Sequence, residues 1–305
     1  MTQDGRYVGR FAPSPTGPLH FGSLIAAISS YLEARKHAGS WLLRIENIDP
    51  PREQPGATQS IIETLAAFGF EWDGPVRFQD TSRELHDEAL GLLEARGLAY
   101  RCGCSRSDLE SAGLGDLGPI YPGTCRSGTE ATTTALRVRT DNIALAFTDG
   151  LQGPKSQRLE SESGDFIIRR KDDLIAYHLA VVVDDHDQGV THVVRGIDLL
   201  DSTLRQIWLQ QLLGYRTPLY MHIPIAINAL GQKLSKSSGA PEVMCQNKEI
   251  ALLAALAALQ QGPPAKLASA SLAGIWDWAF ENWDIARLRG QTEIPFSAGV
   301  MEKNP

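Results

Sequence analysis

The feature that most constrains the fold of this chain is a short apolar segment, followed by a turn rich in proline and glycine and then a helix. Residues 7–12 form the apolar segment, and Pro13–Pro18 forms the turn. Apolar residues then recur at helical spacing, at Leu24, Ile25, Ile28, Tyr31 and Leu32. A second strand and helix are predicted at 41–45 and 58–68. This repeated order predicts parallel βαβ units and a doubly wound α/β sheet.

The rest of the chain divides into segments that differ in composition and in the spacing of their apolar residues. We predict a helix at 83–96, a loop-rich module from 100 to 128 and short antiparallel strands within 137–149 and 166–173. Strands are predicted again at 180–183, 192–194 and 223–227, with helices at 204–213 and over most of 249–290. The predicted domains are the first half of a Rossmann-like domain (1–99), an inserted loop-rich module (100–178), the second half of the Rossmann-like domain (179–240) and a short helical C-terminal region (241–305).

Composition excludes several classes of protein. The 305 residues carry a formal charge of −7 and contain no apolar run long enough to span a membrane, nor a secretory signal. Four cysteines are too few for a disulfide scaffold, which favours a reducing compartment, the cytoplasm. The acidic balance excludes a strongly basic arm for nonspecific nucleic-acid binding, but a local basic face can still receive RNA.

Two motifs far apart in the sequence could hold a nucleotide triphosphate from two sides. In Phe11–Ser23, His20 directly precedes a helix whose first amides favour an anion, and Gly17 and Gly22 allow close backbone approach. The second motif, Lys233–Ser237, offers two mobile cations among hydroxyls. Alone, the first could be a capped helix and the second a solvated loop. Together they indicate ATP-driven adenylation.

Charged residues near strand ends are candidates for binding an amino acid. Arg10 and Glu46 stand at the ends of two consecutive predicted strands, beside the crevice where α/β sheets bind ligands. Tyr177 and Arg195 also lie near ends of strand-like segments. An arginine can bind a carboxylate bidentately, and a carboxylate can bind an amino group. On chemistry alone, isolated charged residues are more often solvated.

Three cysteines lie close together in the loop-rich module. Cys102, Cys104 and Cys125, with Tyr121 nearby, offer three thiolates and a phenol. Three thiolates suit a tetrahedral structural zinc, although the fourth ligand stays open because tyrosine is an uncommon one. The alternative is a set of buried or free thiols.

The motifs carry a resemblance to class I aminoacyl-tRNA synthetases. His20-Phe21-Gly22-Ser23 resembles the HIGH signature, Lys233–Ser237 resembles KMSKS, and Arg10–Gly17 is similar to the glutamyl branch. A glutamyl-tRNA synthetase is longer and carries anticodon-reading helical domains after its lysine motif, whereas only 238–305 follow here. The short length, the cysteine spacing and the HFGS variant resemble the glutamyl-queuosine enzymes.

The resemblance implies that 1–99 and 179–240 are the two halves of a catalytic domain, that 100–178 is a zinc-binding, acceptor-like module, and that particular residues belong to the site. His20, Lys233 and Lys236 would be catalytic. The implied ATP contacts are Pro13, Thr16, Gly17, His20, Gly22, Ser23, Lys233, Ser235 and Lys236, and the implied glutamate contacts are Arg10, Ala12, Ser14, Glu46, Tyr177 and Arg195. In the related enzymes the arginine matching Arg10 reads the side-chain carboxylate, and the glutamate matching Glu46 helps to hold the amino group. A tyrosine matching Tyr121 completes the zinc set. Asn47 departs from the usual acidic residue and could alter amino-acid affinity.

The implied reaction has two steps. Glutamate attacks the α-phosphate of ATP, with Mg²⁺ accompanying the nucleotide, and the glutamyl group then passes to the cyclopentenediol of queuosine in the anticodon of tRNA(Asp). We expect a monomer without a membrane partner. The alternatives are a truncated glutamyl-tRNA synthetase charging tRNA(Glu), a small-molecule adenylyltransferase and a non-catalytic paralogue that binds RNA or an amino acid.

Overall fold

The first part of the chain forms a parallel sheet with helical connections, as predicted. The computed structural model describes residues 6–110, 112–228, 231, 243 and 245–296. Its first elements are β1 (Val8–Phe11), α1 (Phe21–Lys36), β2 (Ser40–Ile45), α2 (Ala57–Ala67), β3 (Arg77–Phe78) and α3 (Arg83–Ala95). The strands pair in the order β1-β2-β3, with Val8 opposite Ser40 and Arg44 opposite Arg77. The carboxyl ends of β1 and β2 therefore meet at one edge, where α/β sheets bind ligands.

The next segment is largely antiparallel. Its elements are β4 (Ala99–Cys102), β5 (Leu114–Gly115), β6 (Gly118–Pro119), β7 (Ala135–Val138), β8 (Ala144–Asp149), β9 (Gly153–Arg158), α4 (Leu159–Glu162) and β10 (Phe166–Arg169). A three-stranded sheet has the order β10-β7-β4, and β8 pairs with β9 as a hairpin. The prediction of short antiparallel strands is confirmed.

One buried carboxylate, Asp165, ties this antiparallel segment together. Arg126 reaches it through Nε and Nη2, both at 2.7 Å, and the amide and hydroxyl of Thr140 donate to it at 2.8 and 2.9 Å. The Tyr100 hydroxyl donates to Oδ2 of Asp165, which also accepts from Arg126 Nε. Burial alone would raise the pKa of Asp165, but these donors hold it below its ordinary value. The carboxylate therefore stays charged and joins β4 to the loops after Cys125 and β7.

The second part of the chain adds more parallel strands. Its elements are α5 (Tyr177–Asp187), β11 (His192–Gly196), α6 (Thr203–Leu213) and β12 (Leu219–Ile223), with β11 parallel to β12. Thr191, just before β11, joins this pair to β1: its amide donates to the Val8 carbonyl at 2.9 Å, and its hydroxyl accepts the Val8 amide at 2.8 Å. The two halves of the sheet thus lie side by side.

The strand predicted at 180–183 is wrong, because these residues lie within the helix α5. Four consecutive apolar residues do not distinguish a buried strand from a buried helix. Here every residue from Leu179 to Asp185 is buried, so the helix shows no polar face that would reveal its period. Tyr177, predicted beside a strand-like segment, is the first residue of this helix.

The single strand predicted at 223–227 is divided in two by Pro224. β12 ends at Ile223, and β13 (Ile225–Ile227) pairs instead with β14 (Glu293–Pro295). Proline has no amide hydrogen to continue a ladder, which accounts for the change of partner. β14 was not predicted.

The C-terminal helices share the core of the first half. As predicted, 249–290 is mostly helical, with α7 (Lys248–Ala258) and α8 (Leu272–Asn282). Tyr31 of α1 makes edge contacts with Trp41, Phe70 and Trp276 at centroid distances of 4.9, 5.3 and 5.4 Å. The Trp276 indole also donates to the Phe68 carbonyl at 2.8 Å. None of the helices that the structure describes is both long and apolar enough to cross a bilayer.

Replacing Gly164 by alanine is expected to destabilise the antiparallel segment. Gly164 has φ +65° and bridges to Tyr121, and a Cβ there would overlap the backbone nitrogen and oxygen of Tyr121. Gly189 has the same φ, but a Cβ there would meet nothing within 4 Å. In denaturant unfolding, we expect Gly189→Ala to cost about 1–2 kcal/mol from backbone strain alone. Gly164→Ala should cost about 1–3 kcal/mol more from overpacking. Equal losses would contradict this close approach.

Two histidines, His222 buried and His178 half-buried, should make stability depend on pH. Burial lowers the pKa of His178 to about 3 and that of His222 to about 4. Because an unfolded histidine titrates near about 6.5, the unfolded chain binds protons that the folded chain does not as pH falls from about 6.5 to 4. Each histidine therefore withdraws stability in this window, by up to about 1.4 kcal/mol per pH unit, and has no such effect above it.

The variant His178→Gln isolates this effect from the titrating carboxylates. His178 Nδ1 has no hydrogen-bond partner among the described residues, so its removal breaks no observed bond. Urea unfolding at half-unit pH steps should show wild type losing stability relative to the variant between pH 6.5 and 4. A constant difference across that range would refute the assignment.

Candidate active site

A large cavity lies at the carboxyl edge of the parallel strands. Its volume is about 970 Å³. The segments that follow β1 and β2 form one side, and the ends of β11 and β12 form another. The start of α1 and the start of α5 complete the wall. This is the location at which open α/β sheets bind ligands.

The turn between β1 and α1 is held by backbone hydrogen bonds. The Glu46 amide donates to the Pro13 carbonyl at 3.0 Å, and the Gln54 amide donates to the Pro15 carbonyl at 3.0 Å. Gly17 has φ +137°, a conformation that favours glycine. The turn is therefore fixed against the segment that follows β2.

His20 caps the first turn of α1. Its Nδ1 accepts the Ser23 amide at 3.3 Å, and its Nε2 lies 3.1 Å from the Ser23 hydroxyl. Both side chains line the cavity, as does Gly22. A helix N-terminus presents amide hydrogens and a positive dipole end, so this wall can receive an anion.

Most of the predicted binding residues line this one cavity. The predicted ATP contacts on its wall are Pro13, Thr16, His20, Gly22 and Ser23; the predicted glutamate contacts are Arg10, Ala12, Ser14, Glu46, Tyr177 and Arg195. Gly17 belongs to the turn but is not on the wall. Lys233, Ser235 and Lys236 lie outside the described residues. Segments far apart in the sequence thus meet, while the role of each residue stays a prediction.

A buried ion network lies behind this wall. Arg10 contacts Asp185 through Nε at 3.2 Å and through Nη2 at 3.3 Å. Arg44, fully buried, contacts Asp185 at 2.8 Å and Glu46 at 3.3 Å. Burial raises the pKa of Glu46, and the two arginines oppose that shift. For Asp185 the arginines outweigh burial and lower the pKa. Asp185 therefore holds two cations at the end of two neighbouring strands.

Arg195 reaches the cavity from β11 and is also almost fully buried. Its Nε donates to His222 Nε2 at 3.0 Å, and its Nη2 donates to the Thr203 hydroxyl at 2.9 Å. Its Nη1 is buried and has no hydrogen-bond partner among the described residues. A guanidinium so placed can donate to a carboxylate that enters the cavity.

The three clustered cysteines converge with Tyr121 outside the cavity. The thiol sulfurs of Cys102, Cys104 and Cys125 lie within 4.8 Å of one another, and all three are free. Cys104 Sγ is 3.6 Å from Cys125 Sγ, and the Tyr121 hydroxyl is 3.4 Å from Cys102 Sγ and 3.6 Å from Cys104 Sγ. Tetrahedral ligands at the usual zinc–sulfur length are about 3.8 Å apart. The three thiols could therefore hold one metal ion, and the Tyr121 hydroxyl lies beside them.

Arg137 supports this cluster. Its Nε donates to Cys102 Sγ at 3.2 Å, and its guanidinium carbon lies 3.9 Å from the centre of the Tyr121 ring. Its Nη1 donates to the Asp165 carbonyl at 2.7 Å. A fixed cation beside several thiolates would offset their charge when a metal is bound.

Sequence reasoning missed the carboxylates and the imidazole behind the wall. Asp185 follows an apolar run that predicts a strand, whereas it lies on the helix α5. Asp149 and His222 belong to no local sequence motif. The only sequence signal for each is that a charged or titratable residue lies in or beside an apolar strand. Arg52, Asp49 and Arg170 also line the cavity without having been predicted.

Comparisons with known proteins agree with this geometry. The model of the class I tRNA synthetases (E and Q), catalytic domain, matches residues 7–249. Glutamyl-Q tRNA(Asp) synthetase of Dechloromonas aromatica (strain RCB) is 52% identical, covering 94% of this chain and 97% of that protein. Its namesake in Aromatoleum aromaticum (strain DSM 19018 / LMG 30748 / EbN1) is 48% identical, covering 98% and 96%.

A solved structure supports the fold. Glutamate-tRNA synthetase from Elizabethkingia anophelis superposes with a TM-score of 0.80 at 22% identity, covering 97% of this chain and 69% of that one. At this identity the likeness concerns the fold alone. The family match and the two curated relatives carry the assignment further: the chain belongs to the class I tRNA synthetases (E and Q), within the glutamyl-Q tRNA(Asp) synthetase family.

Proposed function

We propose that this protein activates L-glutamate with ATP and transfers the glutamyl group to the cyclopentenediol of queuosine in the anticodon of tRNA(Asp). The observation that carries the proposal is one cavity with Arg10, Glu46 and Arg195 on the same wall as His20 and the start of α1. The names of the relatives supply the acceptor, tRNA(Asp).

The charged wall suits glutamate. Arg10 would bind the side-chain carboxylate of glutamate. Asp185 holds the Arg10 guanidinium in place through two contacts. Glu46 would accept the amino group, and its own charge is supported by Arg44 at 3.3 Å. Tyr177 and Arg195 would complete the pocket, Arg195 through its buried Nη1. Two cations, Arg10 and Arg195, and one carboxylate, Glu46, would complement the two carboxylates and the amino group of a dicarboxylic amino acid. They match it better than an amino acid with a neutral side chain.

Activation would follow from binding both substrates at this edge. A glutamate α-carboxylate oxygen attacks the α-phosphorus of ATP, and the bond to pyrophosphate breaks. Negative charge gathers on the α-phosphate oxygens, where His20 and the first amides of α1 would stabilise it. Lys233 and Lys236 would stabilise the departing pyrophosphate, with Mg²⁺ accompanying ATP.

Transfer completes the reaction. A hydroxyl oxygen of the cyclopentenediol attacks the adenylate carbonyl, an ester bond forms, and AMP leaves. The hydroxyl proton is lost to solvent or to AMP. We further propose that the enzyme acts as a cytoplasmic monomer and keeps the domain limits predicted from the sequence.

Transfer of labelled glutamate tests this function. The protein should catalyse glutamate-dependent ATP–pyrophosphate exchange and should label tRNA(Asp) that contains queuosine. Matched tRNA(Asp) without queuosine and tRNA(Glu) should stay unlabelled. After ribonuclease cleavage, the label should remain on the anticodon fragment rather than on the 3′ end.

The other outcomes identify the alternatives. Labelling of tRNA(Glu) at its 3′ end would indicate a short glutamyl-tRNA synthetase instead. Exchange that depends on no amino acid would favour a small-molecule adenylyltransferase, and absence of exchange would favour a non-catalytic binding protein.

For the cysteine cluster we propose a structural zinc held by Cys102, Cys104, Cys125 and Tyr121. The donor distances of 3.4 to 3.6 Å and the thiol-rich set support zinc rather than a harder cation. When bound, the ion would cross-link β4 to the loop that carries Cys125. The cluster is not part of the cavity wall, so a direct part in adenylation is not proposed.

Purified protein is expected to contain about one zinc ion per chain, since a closed thiolate site binds zinc tightly. Cys104→Ser should lower the zinc content and the unfolding temperature together. Cys245→Ser is the matched control, because Cys245 is distant from the other three in sequence, and it should retain the metal. Elemental analysis and thermal unfolding measure both effects. Equal zinc content in Cys104→Ser and wild type would overturn the assignment.

A further inference from the structure

A chain of buried polar contacts runs from the β8–β9 hairpin to the wall of the cavity. Asp149, at the end of β8, contacts His222 of β12, and His222 contacts Arg195 of β11. Asp149 and His222 are completely buried, and Arg195 is 5% exposed. Neither Asp149 nor His222 lines the cavity. Groups so buried are costly to retain unless their contacts are well made.

The two oxygens of Asp149 have separate partners. Oδ1 accepts three backbone amides, from Leu151 at 2.9 Å, Gln152 at 2.9 Å and His222 at 3.2 Å. Oδ2 lies 2.6 Å from Nδ1 of the His222 ring. The side-chain orientation of Asp149 is therefore fixed by the backbone, and Oδ2 is left for the imidazole.

These contacts determine the tautomer of His222. A carboxylate oxygen can only accept, so Nδ1 of His222 carries the proton that lies between them. Arginine can only donate, so the bare Nε2 accepts the Arg195 Nε–H at 3.0 Å. Burial lowers the pKa of His222 to about 4, although Asp149 opposes this shift. The lowered pKa keeps the ring neutral near pH 7.

The guanidinium of Arg195 is then fixed at every nitrogen except one. Nε is held by His222, and Nη2 is held by the Thr203 hydroxyl at 2.9 Å and the Leu199 carbonyl at 3.3 Å. Nη1 is buried and has no partner in the part of the chain that the structure describes. Because the guanidinium is planar, these contacts also fix the direction of the Nη1 hydrogens.

We propose that Asp149 and His222 are positioning residues, which lock the Arg195 guanidinium so that its Nη1 donates to a carboxylate of the amino-acid substrate. This inference rests on the proposed function for the identity of that substrate. The relay of contacts from Asp149 through His222 to Arg195 does not depend on that identity, because it rests on the observed distances alone. It gives the β8–β9 hairpin, which is remote in sequence from the nucleotide motifs, a part in amino-acid affinity.

The substitution Asp149→Asn should reverse the tautomer with little change of shape. The three backbone amides still require an oxygen at the Oδ1 position, so the amide nitrogen must occupy the Oδ2 position. That nitrogen donates, so His222 Nδ1 must accept and Nε2 must carry the proton. Two N–H groups then face each other between His222 and Arg195, so the contact that holds Arg195 Nε is lost and only the Nη2 contacts remain.

Two changes at His222 form a matched pair. In His222→Gln an amide oxygen can take the place of Nε2 and still accept from Arg195. In His222→Asn the amide reaches Asp149 but leaves no acceptor beside Arg195. His37→Asn serves as the control, since His37 has a carboxylate neighbour, Glu33 at 3.5 Å, and does not line the cavity.

The test combines kinetics with nitrogen NMR. Spectra of ¹⁵N-histidine-labelled protein, assigned with the His222 variants, should show the Nδ1–H tautomer in wild type and the Nε2–H tautomer in Asp149→Asn. In ATP–pyrophosphate exchange, Asp149→Asn and His222→Asn should raise the KM for glutamate about tenfold or more, the effect of one charged hydrogen bond. The KM for ATP should stay within about twofold, and His222→Gln should recover most of the glutamate affinity.

The outcomes separate the relay from the proposed function. An Nε2–H tautomer in wild type, or an unchanged glutamate KM in Asp149→Asn, would overturn the relay while glutamate activation by wild type stood. Equal increases in both KM values, or the same loss in His37→Asn, would reduce Asp149 to a structural role and also overturn it. Wild type without glutamate-dependent exchange would reject the proposed function, and with it the substrate named for Arg195.

Discussion

The site depends on a buried ion network at the carboxyl edge of the sheet. Arg44 is completely buried, and a lone buried guanidinium would be prohibitively costly. Asp185 and Glu46 compensate its charge, and Asp185 also binds Arg10. Removing one partner from such a network costs about 3–5 kcal/mol of stability, since it leaves a remaining charge buried and unpaired. β1, β2 and α5 are therefore held at the distances that these contacts require, and Arg10 and Glu46 are held with them on the cavity wall.

Sequence periodicity was sufficient where the apolar residues of an element recur at a regular spacing between clear turn signals. β1, α1 and β2 follow the predicted pattern because glycine and proline delimit them and their apolar residues have a clear spacing. It failed at 180–183, where a helix is buried on all sides and its apolar run has no period. It also failed at Pro224, where the chain continues in an extended form but changes its pairing partner. Tertiary environment, which the local pattern does not contain, decides both cases.

The candidate site was predictable as far as chain geometry alone could bring residues together. Turns after neighbouring parallel strands must meet at one edge, so Arg10, Glu46 and Arg195 could be expected near one another. The cysteines could be grouped because they are close in sequence. The residues that orient these groups could not be found in this way. Asp149, Asp185 and Arg137 act through partners far away in the chain, and a single buried charged residue has no local signal.

Three buried aspartates share one structural task in this fold. Asp165 joins β4 to the loops after Cys125 and β7, Asp185 joins α5 to β1 and β2, and Asp149 joins the β8–β9 hairpin to β12. Apolar contacts tolerate small slips, whereas a buried carboxylate loses its hydrogen bonds when its partners move. Of the three, Asp149 connects the antiparallel segment to the parallel sheet, through His222 of β12. A shift of the hairpin by one residue would separate Asp149 from its partners, release His222 and disturb Arg195, so the register of a distant hairpin fixes the position of Arg195 on the cavity wall.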